Sequence, residues 1–68
     1  MHQPRATTMS PLLTPAEVAK LLRLDEETLA AWRTTGRQAL PYVRIGGRTV
    51  RYRLADVERF VAQHLCEV

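Results

Sequence analysis

The sequence predicts a small α+β domain, mostly helical: two short helices joined by a tight turn, a two-stranded β hairpin and a closing helix. Three observations carry this expectation. A dense helix-start signal occupies residues 13–18, two strand-like runs flank the pair Gly46-Gly47, and a helical apolar stripe begins at Leu54. At 68 residues the chain makes one thin domain, since so short a chain buries only about 60% of its unfolded surface. An apolar fraction of 46% and a charged fraction of 25% are ordinary for a globular protein and argue against disorder throughout.

Residues 1–11 are rich in Pro, Thr and Ser, have no period, and read as a flexible leader. The folded domain is expected over residues 12–66. In Leu13-Thr14-Pro15-Ala16-Glu17-Val18, Thr14 is a suitable N-cap and Pro15 sits where its missing N–H costs nothing. Glu17 closes a capping box, and Leu13 with Val18 can form the hydrophobic staple. This first helix should run to about Leu22, turning Val18, Ala19, Leu21 and Leu22 inward.

After a short turn at Arg23-Leu24, Asp25 is expected to cap a second helix from Glu26 to about Thr35. Glu26 and Glu27 fall in its first turn, where the helix dipole favours acids. Thr28, Leu29 and Trp32 share one face; Glu27, Ala30 and Thr34 show on the other, flanked by Ala31 and Arg33. Gly36 supplies the stop. Two short helices around a three-residue turn make a helix-turn-helix arrangement.

Arg37 to Pro41 reads as a loop. Tyr42-Val43-Arg44-Ile45 and Thr49-Val50-Arg51-Tyr52 then read as strands around Gly46-Gly47-Arg48. A two-residue turn pairs Val43 with Val50, and a four-residue turn pairs Ile45 with Val50. Both registers put Val43, Ile45, Val50 and Tyr52 on one face, with Arg44 and Arg51 on the other. Such a hairpin is a wing, with Arg48 at its tip. The third helix should run from Leu54 to about His64 or Leu65, with Leu54, Val57, Phe60, Val61 and Leu65 inside and Asp56, Glu58 and Arg59 outside.

Charge points to a partner. From Arg33 to Arg53 six arginines (Arg33, Arg37, Arg44, Arg48, Arg51, Arg53) stand with no acid among 21 residues. The remainder has four bases and seven acids, so the chain nets +3. Of the ten bases nine are arginine, the side chain whose planar fork grips phosphates and guanine edges. A one-signed block inside a small fold repels itself unless a polyanion takes up the field. If about five or six of these arginines reach phosphates, log K should fall with log salt at a slope of about −5.

The second helix adds Glu27, Thr28, Ala30, Arg33 and Thr34 as candidate DNA contacts. Glu27 can accept from a cytosine amino group, while Ala30 and Thr34 allow close approach to thymine methyls. Its acidic start repels phosphate, however, and stabilises the helix dipole whatever else the helix does. The wing and its flanks add Arg37, Arg44, Arg48, Arg51 and Arg53.

Catalysis has little to work with. His64 and Cys66 offer two metal ligands where a closed zinc site needs four, Ser10 has no histidine partner, and Gly46-Gly47 opens no helix as a phosphate loop would. No enzyme activity, metal or cofactor is expected. A single cysteine points to a reducing compartment, and no apolar run approaches a membrane span. The expected location is the cytoplasm, in association with the nucleoid.

Leu13-Thr14-Pro15-Ala16-Glu17-Val18-Ala19-Lys20-Leu21-Leu22, Thr28-Leu29, Trp32-Arg33, Gly36, Leu40-Pro41, Val43-Arg44-Ile45-Gly46-Gly47-Arg48 and Arg51-Tyr52 together resemble the excisionase-type, MerR-like winged helix-turn-helix family. That family includes phage excisionases (recombination directionality factors) and AlpA-like regulators. The resemblance covers residues 12–64 and implies a second helix in the major groove, a wing on the adjacent minor groove or backbone, and no cofactor. It assigns base or phosphate contact to Glu26, Glu27, Ala30, Ala31 and Arg33, and wing contact to Arg44, Arg48 and Arg51. Family members commonly carry arginine or tyrosine where this chain has Glu26, Glu27, Ala30 and Ala31, which shifts weight to Arg33, Arg37 and the wing.

The function this implies is double-stranded DNA binding by a factor of a phage or mobile element. It would bend DNA and direct an integrase toward excision, with copies binding side by side on neighbouring sites. A small transcriptional regulator of the same fold is the alternative, and a packaging module like a terminase small subunit is more distant. A rival from another class is a protein-interaction module whose acidic second helix docks on a partner.

Overall fold

A computed structural model of the chain describes residues 10–66; of the leader expected over residues 1–11, residues 1–9 lie outside the described residues, whereas Ser10 and Pro11 are bonded to the backbone at Leu54 and Ala55 and belong to the fold. The elements are β1 (Leu12–Leu13), α1 (Pro15–Leu22), α2 (Glu26–Thr35), β2 (Val43–Ile45), β3 (Thr49–Arg53) and α3 (Leu54–Gln63). The strands form one antiparallel sheet in the order β1-β3-β2. Strand β1 was not expected from sequence, because two residues are too few to show a period.

Helix α1 begins as its sequence dictates. The Thr14 hydroxyl accepts from the Glu17 N–H at 3.1 Å, and the Glu17 carboxylate accepts from the Thr14 N–H at 2.8 Å. Val18 and Ala19 are buried, but Leu21 is 59% exposed, contrary to expectation. At about 100° per residue, Leu21 falls on the far side of Val18 from Ala19 and so beyond the core. The helix closes on Arg23 in the left-handed region, with φ 57°. The Leu24 N–H donates to the Ala19 carbonyl at 2.8 Å and the Arg23 N–H to that of Lys20 at 3.2 Å. These are the two bonds of a Schellman ending, built here without glycine.

Helix α2 keeps its expected bounds, with one correction. Asp25 occupies the N-cap position but its side chain makes no capping hydrogen bond; the carboxylate stays in solvent and acts on the helix only through the dipole. Gly36 ends the helix at φ 70°.

The wing register is neither of the two expected. Ile45 pairs with Thr49, Arg44 with Val50, and Val43 with Arg51, around a three-residue loop whose Gly46 and Gly47 adopt φ of 66° and 88°. A one-residue slip moves a strand's side chains to the opposite face. Val50 and Tyr52 remain on the core face, but β2 now sends Arg44 to that face, with Tyr42 just before it in the same alternation. Val43 and Ile45 lie with Arg51 on the outer face, where Ile45 is 46% exposed. The slip brings the Tyr42 and Tyr52 rings to 6.3 Å between centroids. A cross-strand aromatic pair of this kind contributes about 0.5–1 kcal/mol, against the lost burial of Ile45.

Helix α3 packs Val57 and Phe60 inward, and its N-terminus is held from a distance in sequence. The Leu54 N–H donates to the Pro11 carbonyl at 2.8 Å and the Ala55 N–H to the Ser10 hydroxyl at 2.9 Å. Asp56, expected outside, is 5% exposed. It lies beside Phe60 on the helix circumference, and Arg53 pairs with it through both fork nitrogens at 2.6 and 3.0 Å. Val61 and Leu65, expected inside, are exposed; Val61 sits at the rim of the buried arc and Leu65 lies past the helix end.

The core joins Val18, Ala19, Leu29, Leu40, Val50, Tyr52, Val57 and Phe60, with Leu13, Leu22 and Trp32 packed against it. Trp32 meets Phe60 with ring centroids 5.6 Å apart, so it is the core residue the sequence implied. Every element except β2 thus contributes a side chain to this core or packs one against it.

Candidate nucleic-acid interface

Two surfaces are candidates, and they differ in charge. The solvent face of α2 carries Glu27, Ala31, Thr34 and Thr35, all exposed. The Thr34 and Thr35 hydroxyls donate back to the Ala30 and Ala31 carbonyls at 3.1 and 2.8 Å, which leaves the Thr34 oxygen as an acceptor toward a ligand, while that of Thr35 accepts from the Arg37 N–H. Thr28 and Ala30 are half-buried at the edges of this face. It presents no cation.

Arg33 was expected beside Glu27 and is elsewhere. It is half-buried and turned toward the sheet, where its fork donates to the Tyr52 hydroxyl at 2.6 Å. Its guanidinium carbon lies 5.9 Å from the Tyr42 ring centroid and 6.0 Å from that of Tyr52. Along α2, Arg33 falls between Leu29 and Ala30 in angle, so the sheet side was its place by helical period.

The remaining arginines separate by their partners. Arg53 is the only one in an ion pair among the described residues. The hydrogen bonds that Arg53 donates to the Asp56 carboxylate, and then the charge of that carboxylate, raise the Arg53 pKa above the ordinary arginine value. Its positive charge is matched within the fold. Arg51 is half-buried on the outer sheet face and donates to the Val50 carbonyl at 2.8 Å. Arg44, on the inner face, is exposed, with its guanidinium 5.7 Å from the Tyr42 centroid and a long contact to the Gly47 carbonyl at 3.5 Å. Arg48 at the loop tip and Arg37 just past α2 are exposed, and the Arg37 backbone N–H donates to the Thr35 hydroxyl at 3.2 Å.

The structure therefore gathers Arg33 and Arg44 around Tyr42, with Arg48 beyond them on the wing. It sets Arg51 on the opposite face of the ribbon and ties Arg53 into the start of α3. Tyr42 escaped the sequence reading. The signal was present: two residues before Arg44 in the run Tyr42-Val43-Arg44-Ile45 read as a strand from sequence, it shares Arg44's face by alternation.

Other chemistries find little support. Among the described residues no three His, Cys, Asp or Glu side chains gather as a metal site. His64 is engaged at Nδ1 with the Phe60 carbonyl at 2.8 Å, its ring 4.1 Å from that of Phe60. Among the same residues no helix is long and apolar enough to cross a membrane.

A helix-turn-helix domain family model matches residues 12–65, which spans every helix and strand described above. A search of curated proteins returns no match. The chain belongs to the helix-turn-helix domain family, whose members bind DNA and are typically not enzymes.

Proposed function

We propose that this helix-turn-helix domain protein binds duplex DNA chiefly through the arginines of its wing, with α2 supplying placement more than grip. The observation that carries the proposal is the segregation of charge. The exposed face of α2 holds an acid and no base, whereas Arg37, Arg44 and Arg48 stand exposed with no acid beside them in sequence. Grip on phosphates positions a protein without reading sequence, so affinity here is broad and steeply salt-dependent.

A backbone grip of this kind suits an architectural role. On that basis, and on the resemblance in residues 12–64, the protein acts as an excisionase-like factor: it binds sites near an attachment site, bends the DNA, and favours excision by a separate integrase. Copies bind side by side on neighbouring sites. The protein breaks no bonds itself; its contribution is geometry and charge.

The test is a footprint of the purified protein on its own upstream region and on a nearby attachment site, with a circular-permutation assay for bending. Protection and a bend at the attachment site support the excisionase-like role. A footprint confined to the upstream region supports a transcriptional regulator instead. Duplex binding that stays within about twofold between about 50 and 300 mM salt, where phosphate contacts should cost orders of magnitude, overturns the arginine grip on phosphates and favours a protein-interaction module.

A further inference from the structure

The geometry points to Tyr42 as a positioning residue for DNA binding, whose ring presents Arg33 and Arg44 together as a clamp on one stretch of phosphate backbone. This inference rests on the DNA-binding reading above. Both guanidinium carbons lie near one ring, Arg33 at 5.9 Å and Arg44 at 5.7 Å from the Tyr42 centroid. The two arginines come from different elements, α2 and β2, and the Tyr42 ring is the side chain that both guanidinium groups meet. The ring is the shared support.

The arrangement is organised from below. Tyr42 packs against Tyr52 at 6.3 Å, and Tyr52 is almost wholly buried. The Tyr52 hydroxyl accepts one Arg33 N–H at 2.6 Å, which fixes that fork while leaving its other donors outward. A guanidinium has five donors, so one internal bond does not exhaust it. Tyr42 and Arg33 line a shallow groove with Trp32, Leu40 and Pro41, and Arg44 is itself exposed.

The chemistry selects a polyanion. Two like charges held around one ring with no carboxylate between them repel, and a phosphate seated against both relieves that repulsion. A cation over an aromatic face is held in orientation without losing its charge or its outward donors. Tyr42 therefore acts by holding two flexible side chains where a phosphate will be, which lowers the ordering cost of binding.

The experiment compares wild type, Tyr42→Leu, Tyr42→Phe, Arg44→Gln and the double variant Tyr42→Leu/Arg44→Gln. Each is measured for duplex affinity across a salt series, with a thermal melt to establish the folded fraction. Tyr42→Leu should weaken binding about tenfold and flatten the slope of log K on log salt by about 1 at an unchanged count of charges. Tyr42→Phe should retain most of the wild-type affinity, because the ring and not the hydroxyl positions the arginines. The double variant should lose less than the sum of the two single losses, because the part of Tyr42 that acts through Arg44 is already gone and only its hold on Arg33 remains to be lost.

A purely structural Tyr42 would instead lower the melting temperature and leave the slope of the folded protein unchanged; that result overturns the inference. Equal losses in Tyr42→Phe and Tyr42→Leu would also overturn it, by assigning the effect to the hydroxyl. If Tyr42→Leu does not fold, the inference stands or falls on Tyr42→Phe and on Tyr42→Met, which keeps bulk but removes the ring and should lose slope. Wild type that fails to bind duplex at low salt sinks the DNA-binding reading itself. Wild type that binds while Tyr42→Leu and Tyr42→Met keep its slope sinks only the clamp.

Discussion

The start of α2 and the wing lie on one small domain and face the same kind of partner with opposite charge. Asp25, Glu26 and Glu27 are all exposed, and none of their carboxylates takes part in an ion pair among the described residues. The wing and its flank show Arg37, Arg44 and Arg48 equally exposed. A helix N-terminus ordinarily welcomes phosphate through its free amides, but three acids there cancel that advantage. On the proposed reading, the helix that would enter the groove and the element that supplies most of the affinity are therefore different parts of the fold.

The largest expected effect comes from the wing. Arg44→Gln with Arg48→Gln should weaken binding to unrelated duplexes alike by about 30-fold near physiological salt, as two lost phosphate contacts imply, read by fluorescence anisotropy. A loss confined to one sequence would break the comparison by making these arginines base readers. The register makes a finer claim: Arg51, on the outer face, should matter less than Arg44 when each is changed alone.

Next comes the contrast inside the arginine run. Arg53→Gln leaves Asp56 nearly buried without its partner, a situation that destabilises a fold. Its melting temperature should fall further than that of Arg48→Gln, while its salt slope stays at the wild-type value. The raised Arg53 pKa has a defined pH consequence. A group whose folded pKa is raised contributes stability that is complete below its unfolded pKa and lost as pH climbs through the folded one. For Arg53 that window lies in strong alkali, so the pair should give no pH dependence from the arginine side under working conditions.

The smallest effect belongs to the turn between the two helices. Arg23 closes α1 at φ 57°, a conformation that costs a non-glycine residue about 1 kcal/mol. Arg23→Gly should therefore raise the melting temperature by about 4–8 °C with DNA affinity nearly unchanged. A large drop in affinity would place Arg23 on the DNA and widen the gripping surface beyond the wing.

Sequence made the elements legible wherever the signals were local. The capping box of α1 is complete within residues 14–17, and both its hydrogen bonds form. The bounds of α2 follow from Asp25 and Gly36, although Asp25 caps by position alone. The wing register was not legible, because the alternating pattern favours the even loops that gather every apolar residue on one face, whereas the three-residue loop sets Val43 and Ile45 opposite Val50 and Tyr52. That one slip carried Arg44 to the inner face, left Ile45 exposed, and created the Tyr42 cluster. Arg33, expected to flank the face of Glu27, Ala30 and Thr34, could have been set toward the sheet by its helical period, but its bond to Tyr52, 19 residues away, was not legible locally. Asp56 could have been foreseen: Arg53 precedes it by three residues, the spacing at which opposite charges meet.

The most direct test is the slope of log K against log salt for a duplex of mixed sequence, in wild type, in Arg44→Gln/Arg48→Gln and in Glu26→Gln/Glu27→Gln. With Arg53 paired internally, about four or five arginines remain for phosphates, and the wild-type slope should be about −4. The wing variant should fall to about −2, while the helix variant should bind a few-fold more tightly with a slope close to wild type. A wing variant that keeps the full slope, beside a helix variant that changes it, would contradict the account.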